Sequence, residues 1–288
     1  MHPYLLALIL GIVEGLTEFL PVSSTAHLRV CQSLLGIALN DGYWKMFAIV
    51  IQLGAILTLP IYFRARIAKF LATFPHGERG DRTVVTHPLT LVAIAFLCTA
   101  IPAFLLTKVI GQHLESLVIM GAALVIGGVV MWVVDVLYTR GALGHDTDHV
   151  EEMSLGQAVW IGLCQTLSAV FPGTSRSMST IAAGQLVGMS RTSALEFSFF
   201  LSIPTMVVAT CYDLLKSLRP HHGEPAVIGH LVMSTQNWVT LLIGFAVSFV
   251  VAYFVVAWFM QWVRKHGFTV FAIYRIVVGG VVLWWALK

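Results

Sequence analysis

The stretch VEGLTEFLPVSSTAH, residues 13–27, sets two glutamates, a run of hydroxyls and a histidine at the end of an apolar segment. Glu14 and Glu18 are four residues apart, so on a helix they share one face. Two carboxylates completed by substrate phosphate oxygens are a common way of holding magnesium. Pro21 disfavours helical geometry at Leu20 and donates no backbone bond. The first helix should therefore end there, with Ser23 or Ser24 capping a second one. The open N–H groups and positive end of that second helix suit an anion. His27 follows Ser24 by three residues and Ser23 by four, within helical reach of either hydroxyl. A serine beside a base is the minimal activated nucleophile.

The stretch PGTSRSMST, residues 172–180, repeats the device. Pro172 and Gly173 stop a helix, Thr174 or Ser175 caps the next, and Arg176 brings a guanidinium shaped for bidentate phosphate contact. Two such helix ends brought together make a phosphate site. The competing account is that the glutamates cap, pair or line a wet crevice. The cost of charge within apolar membrane segments favours a functional role for Glu14, Glu18 and Arg176. For Ser23, Thr174, Ser175, Ser177 and Thr180, helix capping and phosphate contact weigh equally.

The elements that must position these residues are those of a polytopic membrane protein. The 288-residue chain is 58% hydrophobic and 11% charged, against about 25% charged in ordinary soluble domains. Six stretches, 46–63, 88–110, 117–138, 195–215, 238–262 and 268–287, are long enough to cross the roughly 30 Å hydrocarbon core as helices. Two more, 3–36 and 156–189, are broken midway by proline and small polar residues. They read as re-entrant helical hairpins, which membrane depth tolerates where protein or a wet cavity satisfies the backbone. The fold class is thus all-α, with six transmembrane helices and two re-entrant hairpins in a single integral membrane domain. The N-terminus has neither the basic residues nor the cleavage site of a removed signal peptide. Cys31, Cys98, Cys164 and Cys211 are scattered singly, without disulfide or zinc spacing, and serve packing. His145, His149, His221 and His222 fall in polar loops and need no metal. Asp135 and Asp213 lie near segment ends, close to water, whereas Glu196 and Arg275 lie inside apolar stretches, where an ion pair or support of the site is the preferred account.

The chain also repeats itself. GIVEGLTEFLPVSS (11–24) lies over GLCQTLSAVFPGTS (162–175) at an offset of 151, pairing Glu14 with Gln165, Glu18 with Ala169 and Thr25 with Arg176. IGGVVMW (126–132) matches VGGVVLW (278–284) at an offset of 152. Nearly equal spacings so far apart indicate duplication, with one repeat in 1–140 and the other in 152–288. Each copy holds one hairpin and three crossings, so an odd number of crossings delivers the second copy inverted, an arrangement that places a site between halves at the midplane. Of the loop charges, Arg64, Arg66, Lys69, Arg79, Arg82, Arg140, Arg191, Arg264 and Lys265 fall on one side, and Arg29, Lys45, Lys108, Lys216, Arg219 and Lys288 on the other. The excess marks the first side as cytoplasmic and both termini as outward-facing. Basic residues spread over short loops form no nucleic-acid stripe.

With these residues in view, EGLTEFLPVSSTAH and PGTSRSMST resemble the paired motifs of the bacterial undecaprenyl-diphosphatase, or bacitracin-resistance, family. VIQLGAI, SALEFSFFLSIP and FAIYRIVVG extend the resemblance over nearly the whole chain. It implies removal of the terminal phosphate from undecaprenyl diphosphate to regenerate the monophosphate carrier of peptidoglycan synthesis. It also implies a divalent cation (Mg2+, or Ca2+), a bacterial inner-membrane location with the site opening outward, and a homodimer. By matching positions Glu14, Glu18, Ser24, His27 and Arg176 would be active-site residues, with Ser23, Thr25, Ser175 and Thr180 nearby. Met178 and Ser179 stand where many relatives have glycine and alanine, and Ala26 where a glycine is common.

The expected mechanism has Glu14 and Glu18 holding the cation against the diphosphate while Arg176 and helix-end N–H groups stabilise the transferring phosphoryl. Either Ser24, with His27 taking or orienting its proton, or a water makes the attack. The rival from another class is a lipid-phosphate transporter, since broken helices in inverted repeats are a transporter architecture; a binding scaffold comes third. A transporter has no use for a serine and histidine beside two carboxylates. For topology, a cysteine placed in the 64–87 loop is expected to resist an impermeant thiol reagent in intact cells, and ready labelling there would reverse the orientation.

Overall fold

The computed structural model describes residues 1–39, 41–106, 116–144, 146–218 and 233–288. Among them run eleven α-helices: α1 (Pro3–Thr17), α2 (Ser24–Leu34), α3 (Gly42–Tyr62), α4 (Arg64–Thr73), α5 (Pro88–Leu105), α6 (Leu117–Thr139), α7 (Leu155–Val170), α8 (Arg176–Leu186), α9 (Arg191–Leu218), α10 (Thr235–Lys265) and α11 (Thr269–Ala286). A single parallel bridge joins Thr147 to Met189. Six helices are long and apolar enough to cross a membrane: α3, α5, α6, α10 and α11, and α9 over Arg191–Leu215. They correspond to the six expected crossings, with starts and ends displaced by a few residues. The end of the expected 88–110 crossing, together with Lys108, Arg219, His145, His221 and His222, lies outside the described residues.

Local chemistry sets the helix starts. The Asp41 carboxylate accepts from Trp44 N–H, and the hydroxyls of Ser116 and Ser234 accept from Ile119 and Asn237 N–H. Ser154 and Gln157 form a reciprocal capping box at α7, satisfying donors that a helix start otherwise leaves open.

Packing places the two shorter apolar helices against long ones. α1 lies on α10, α7 on α5, α6 on α11, and α3 on both α9 and α10. Close approach depends on small residues. A Cβ on Gly15 would stand 2.8 Å from the Ser248 carbonyl oxygen, and one on Gly11 2.9 Å from that of Gly244. Two small residues four apart on each helix let the backbones meet, the packing logic of helices in lipid. Beyond Glu18, Phe19 enters an aromatic core with Phe199, Phe63, Phe200 and Phe259, which anchors the end of α1.

Two charged nodes hold the helix ends. Arg66 on α4 bonds Glu196 on α9 at 2.9 Å and Glu151 at 2.6 Å, so Glu196 takes part in a structural ion pair. Asp213 is exposed near the end of α9. Asp135 departs from the expectation of a water-facing side chain. It is buried, pairs with Arg191 at 2.7 Å, and accepts from Phe268 N–H, Thr269 N–H and the Thr269 hydroxyl. It thus caps α11 while tying α6 to α9, and these donors supply what water would have. Removing it takes the carboxylate from Arg191 and the acceptor from the first N–H groups of α11. Asp135→Ala is expected to cost about 3 kcal/mol, as for breaking a buried pair. Thermal unfolding in detergent should show a fall of roughly 6 °C or more.

Candidate active site

The helix starts flanking the two proline-containing tips share one backbone device. Ser23 precedes α2 with φ +74° and Ser175 precedes α8 with φ +71°, and they are the two non-glycine residues with positive φ among those described. Each such conformation costs about 1–3 kcal/mol and persists where surrounding structure over-determines it, commonly at functional sites. The two serines are 152 residues apart, and so are the first residues of α2 and α8, Ser24 and Arg176. The offset of 151 that pairs Thr25 with Arg176 therefore does not hold at the helix starts. Only Val22 separates Pro21 from Ser23, whereas Gly173 and Thr174 separate Pro172 from Ser175. Gly173 has φ +96°, and a Cβ there would lie 2.9 Å from the Met120 Cα. The extra residue is one that glycine alone accommodates.

Glu18 connects the two tips. Its Oε2 accepts from the Ser24 hydroxyl at 2.5 Å, and its Oε1 meets Arg176 Nη2 at 3.1 Å. Arg176 keeps Nε and Nη1 buried with no partner among the described residues, and both carboxylate oxygens of Glu14 are likewise buried and unpartnered. Unsatisfied polar atoms in the interior are expensive, so both sets of atoms are suited to groups that arrive from outside the chain: anionic oxygens at Arg176, a cation at Glu14. Among the described residues no cluster of three or more His, Cys, Asp or Glu side chains forms. A divalent cation at this place would have the two glutamates as its carboxylate ligands.

A cavity of about 230 Å³ is lined by Glu18, Ser23, Ser24, Thr25, Ser175 and Arg176, with Gln52, Ser168 and Thr205 on its walls. Glu14, His27, Thr174, Ser177 and Thr180 are not among its lining residues. The Ser177 hydroxyl donates to the Leu20 carbonyl at 3.1 Å and shares a bond with that of Ser175. The Thr180 hydroxyl bonds the Ser198 hydroxyl and the Arg176 carbonyl, and the Thr174 carbonyl accepts from Arg275. The expected approach of His27 to a serine hydroxyl is not what the geometry contains. One ring nitrogen, Nδ1, lies 2.8 Å from the Ser23 carbonyl, to which it donates, leaving Nε2 to accept from the Tyr274 hydroxyl at 2.8 Å. The two rings also stack, with centroids 5.6 Å apart.

Sequence reasoning missed Gln52, Thr205, Ser168 and Tyr274. Gln52 and Thr205 carry a signal in retrospect, a polar side chain inside an apolar crossing; a tyrosine in such a segment carries none.

Comparison with known proteins finds relatives along the whole chain. The family model for bacitracin resistance protein BacA matches residues 7–281. An undecaprenyl-diphosphatase of Koribacter versatilis is 71% identical over the full length of both chains. Proteins of the same description from Caldanaerobacter subterraneus and Persephonella marina are 40% and 38% identical, over 96% and 98% of this chain and 94% and 98% of their own. A family match over residues 7–281, with a relative 71% identical over the full length, places this multi-pass helical membrane protein in the bacitracin resistance protein BacA family of undecaprenyl-diphosphatases.

Proposed function

We propose that the chain hydrolyses undecaprenyl diphosphate to undecaprenyl phosphate and inorganic phosphate in the cavity between the two tips. The observation that carries the site is the 2.5 Å bond from the Ser24 hydroxyl to Glu18 beside the two unpartnered nitrogens of Arg176. Arg176 binds the terminal phosphate, and its link to Glu18 sets the distance from that phosphate to Ser24. The Ser24 oxygen attacks the terminal phosphorus while its proton passes to Glu18. The bond from that phosphorus to the bridging oxygen breaks, the departing monophosphate takes the proton from Glu18, and the monophosphate lipid leaves. Water then cleaves the phosphoserine, its proton returning Ser24 to the hydroxyl form. Direct attack by a water held at Glu18 uses the same groups. His27, engaged at both nitrogens, orients the Ser23 carbonyl and so the left-handed cap; proton acceptance falls to Glu18. Glu14 and Glu18 would hold a divalent cation, Mg2+ or Ca2+, which supplies Lewis-acid polarisation of phosphoryl oxygens when bound.

The architecture that goes with this reading is two re-entrant hairpins, α1–α2 and α7–α8, in inverted repeats 1–140 and 152–288. The 152-residue spacing of α2 and α8 recurs between α6 and α11, and α1 on α10 has its counterpart in α7 on α5. The loop charges support a bacterial inner-membrane protein with outward termini. A substrate whose tail stays in the bilayer explains why the polar cavity is carried by membrane helices.

Phosphate release from undecaprenyl diphosphate by purified protein in detergent tests the reading. Release is expected to stop with EDTA and to fall at least about 100-fold in folded Ser24→Ala and Glu18→Gln, the scale of a lost general-base or nucleophile step. Normal turnover in Glu18→Gln would sink the site, and no release from folded wild-type protein would move the assignment to lipid transport. Tyr274→Phe removes one bond to His27. A drop in kcat/KM of about fivefold is expected, matching roughly 1 kcal/mol for a hydrogen bond, and an unchanged value would leave Tyr274 without a part in the site.

A further inference from the structure

Arg275 is 0% exposed, in the middle of α11. A buried guanidinium in an apolar span is costly, and no carboxylate pairs with it among the described contacts. Its partners are carbonyls. Nη1 donates to Pro21 at 3.0 Å, and Nη2 to Gly173 at 3.1 Å, Thr174 at 2.9 Å and Ala123 at 3.1 Å. One side chain therefore holds the tip before α2 and the tip before α8, and pins both to α6. Arg275 does not line the cavity, whereas Gly173 and Ser175 do, so the guanidinium grips the tips from behind. In a trans peptide the carbonyl and the N–H point in opposite directions. Holding the Thr174 carbonyl thus directs the Ser175 N–H away from Arg275.

The neighbouring helix is shaped for this side chain. A Cβ on Gly127 would collide with Nη2 of Arg275 and with Met178 Cε. The glycine in the repeated IGGVVMW motif therefore makes room for the guanidinium at the tips.

We propose that Arg275 is a positioning residue for phosphoryl transfer: it clasps the backbones of both tips, holds the left-handed caps at Ser23 and Ser175, and fixes Ser24 relative to Arg176. The proposal rests on the tips being the phosphate site. Its signature is a loss in kcat, because misplaced groups weaken transition-state contacts more than lipid binding, which involves the long tail.

The test is kcat and KM for undecaprenyl diphosphate with purified Arg275→Met, Arg275→Lys and Gly127→Ala, each checked for folding by thermal unfolding in detergent, with Glu18→Gln as control. The expected result is a fall in kcat of about 100-fold in Arg275→Met and about 10-fold in the other two, with KM within about threefold. Added guanidinium should restore part of the kcat of Arg275→Met. Wild-type kcat in folded Arg275→Met overturns the proposal. Should that variant not fold, wild-type kcat in both Arg275→Lys and Gly127→Ala overturns it. An active Glu18→Gln means the tips are not the site, whereas an inactive Glu18→Gln beside normal Arg275 variants refutes the clasp alone.

Discussion

Breaking a helix inside an apolar protein releases backbone carbonyls and N–H groups that must find new partners, and the architecture around the two tips answers that constraint. The carbonyls of Pro21, Gly173 and Thr174 go to Arg275, that of Leu20 to Ser177, and that of Ser23 to His27. Arg275, Ser177 and His27 are thus engaged by backbone. The oxygens of Glu14 and two nitrogens of Arg176 are instead buried without partners among the described residues, and that contrast separates side chains that hold the tips from side chains suited to a ligand.

The same constraint accounts for the strained serines. A cap in the left-handed region turns the chain sharply, so that a helix can start one or two residues after the segment that follows the break. Glycine would adopt this backbone at less cost, yet serine keeps a hydroxyl there. In the second tip that hydroxyl accepts from Met178 N–H and meets Ser177. Ser23 has no capping bond from its side chain, and both serines line the cavity. Two tips with one backbone geometry have therefore been given different work, one presenting Ser24 and the other Arg176 at the same first helical position.

Beyond the tips, the small-residue contact of α1 with α10 and the aromatic seat of Phe19 decide where Glu14 and Glu18 stand. The ion pairs at Asp135 and Arg66 stitch together α4, α6, α9 and the start of α11. Residues lining the cavity from α2 and α8 need such a frame because these helices, at 11 residues each, are too short to be stable by themselves.

By itself the sequence determined the class of protein, the six long apolar helices, the two breaks and the residues around them, because hydropathy over 20 residues and the effect of proline on a helix are local properties. The two pairs of similar stretches were legible too, but the matching of the two helix starts was not. The shift from 151 to 152 is visible in the letters, while its position, the extra residue between Pro172 and Ser175, shows only in the backbone angles. Tertiary structure alone decided the pairings. Helical spacing puts His27 near Ser24, yet Tyr274, on a helix 247 residues away in sequence, takes one of its nitrogens, and Glu18 reaches Ser24 across the turn. Arg275 and Asp135 were legible as charges in apolar surroundings, but whether such a charge meets water, a carboxylate or carbonyls depends on which helices pack beside it. Such contacts join residues distant along the chain, so no pattern within one segment encodes them.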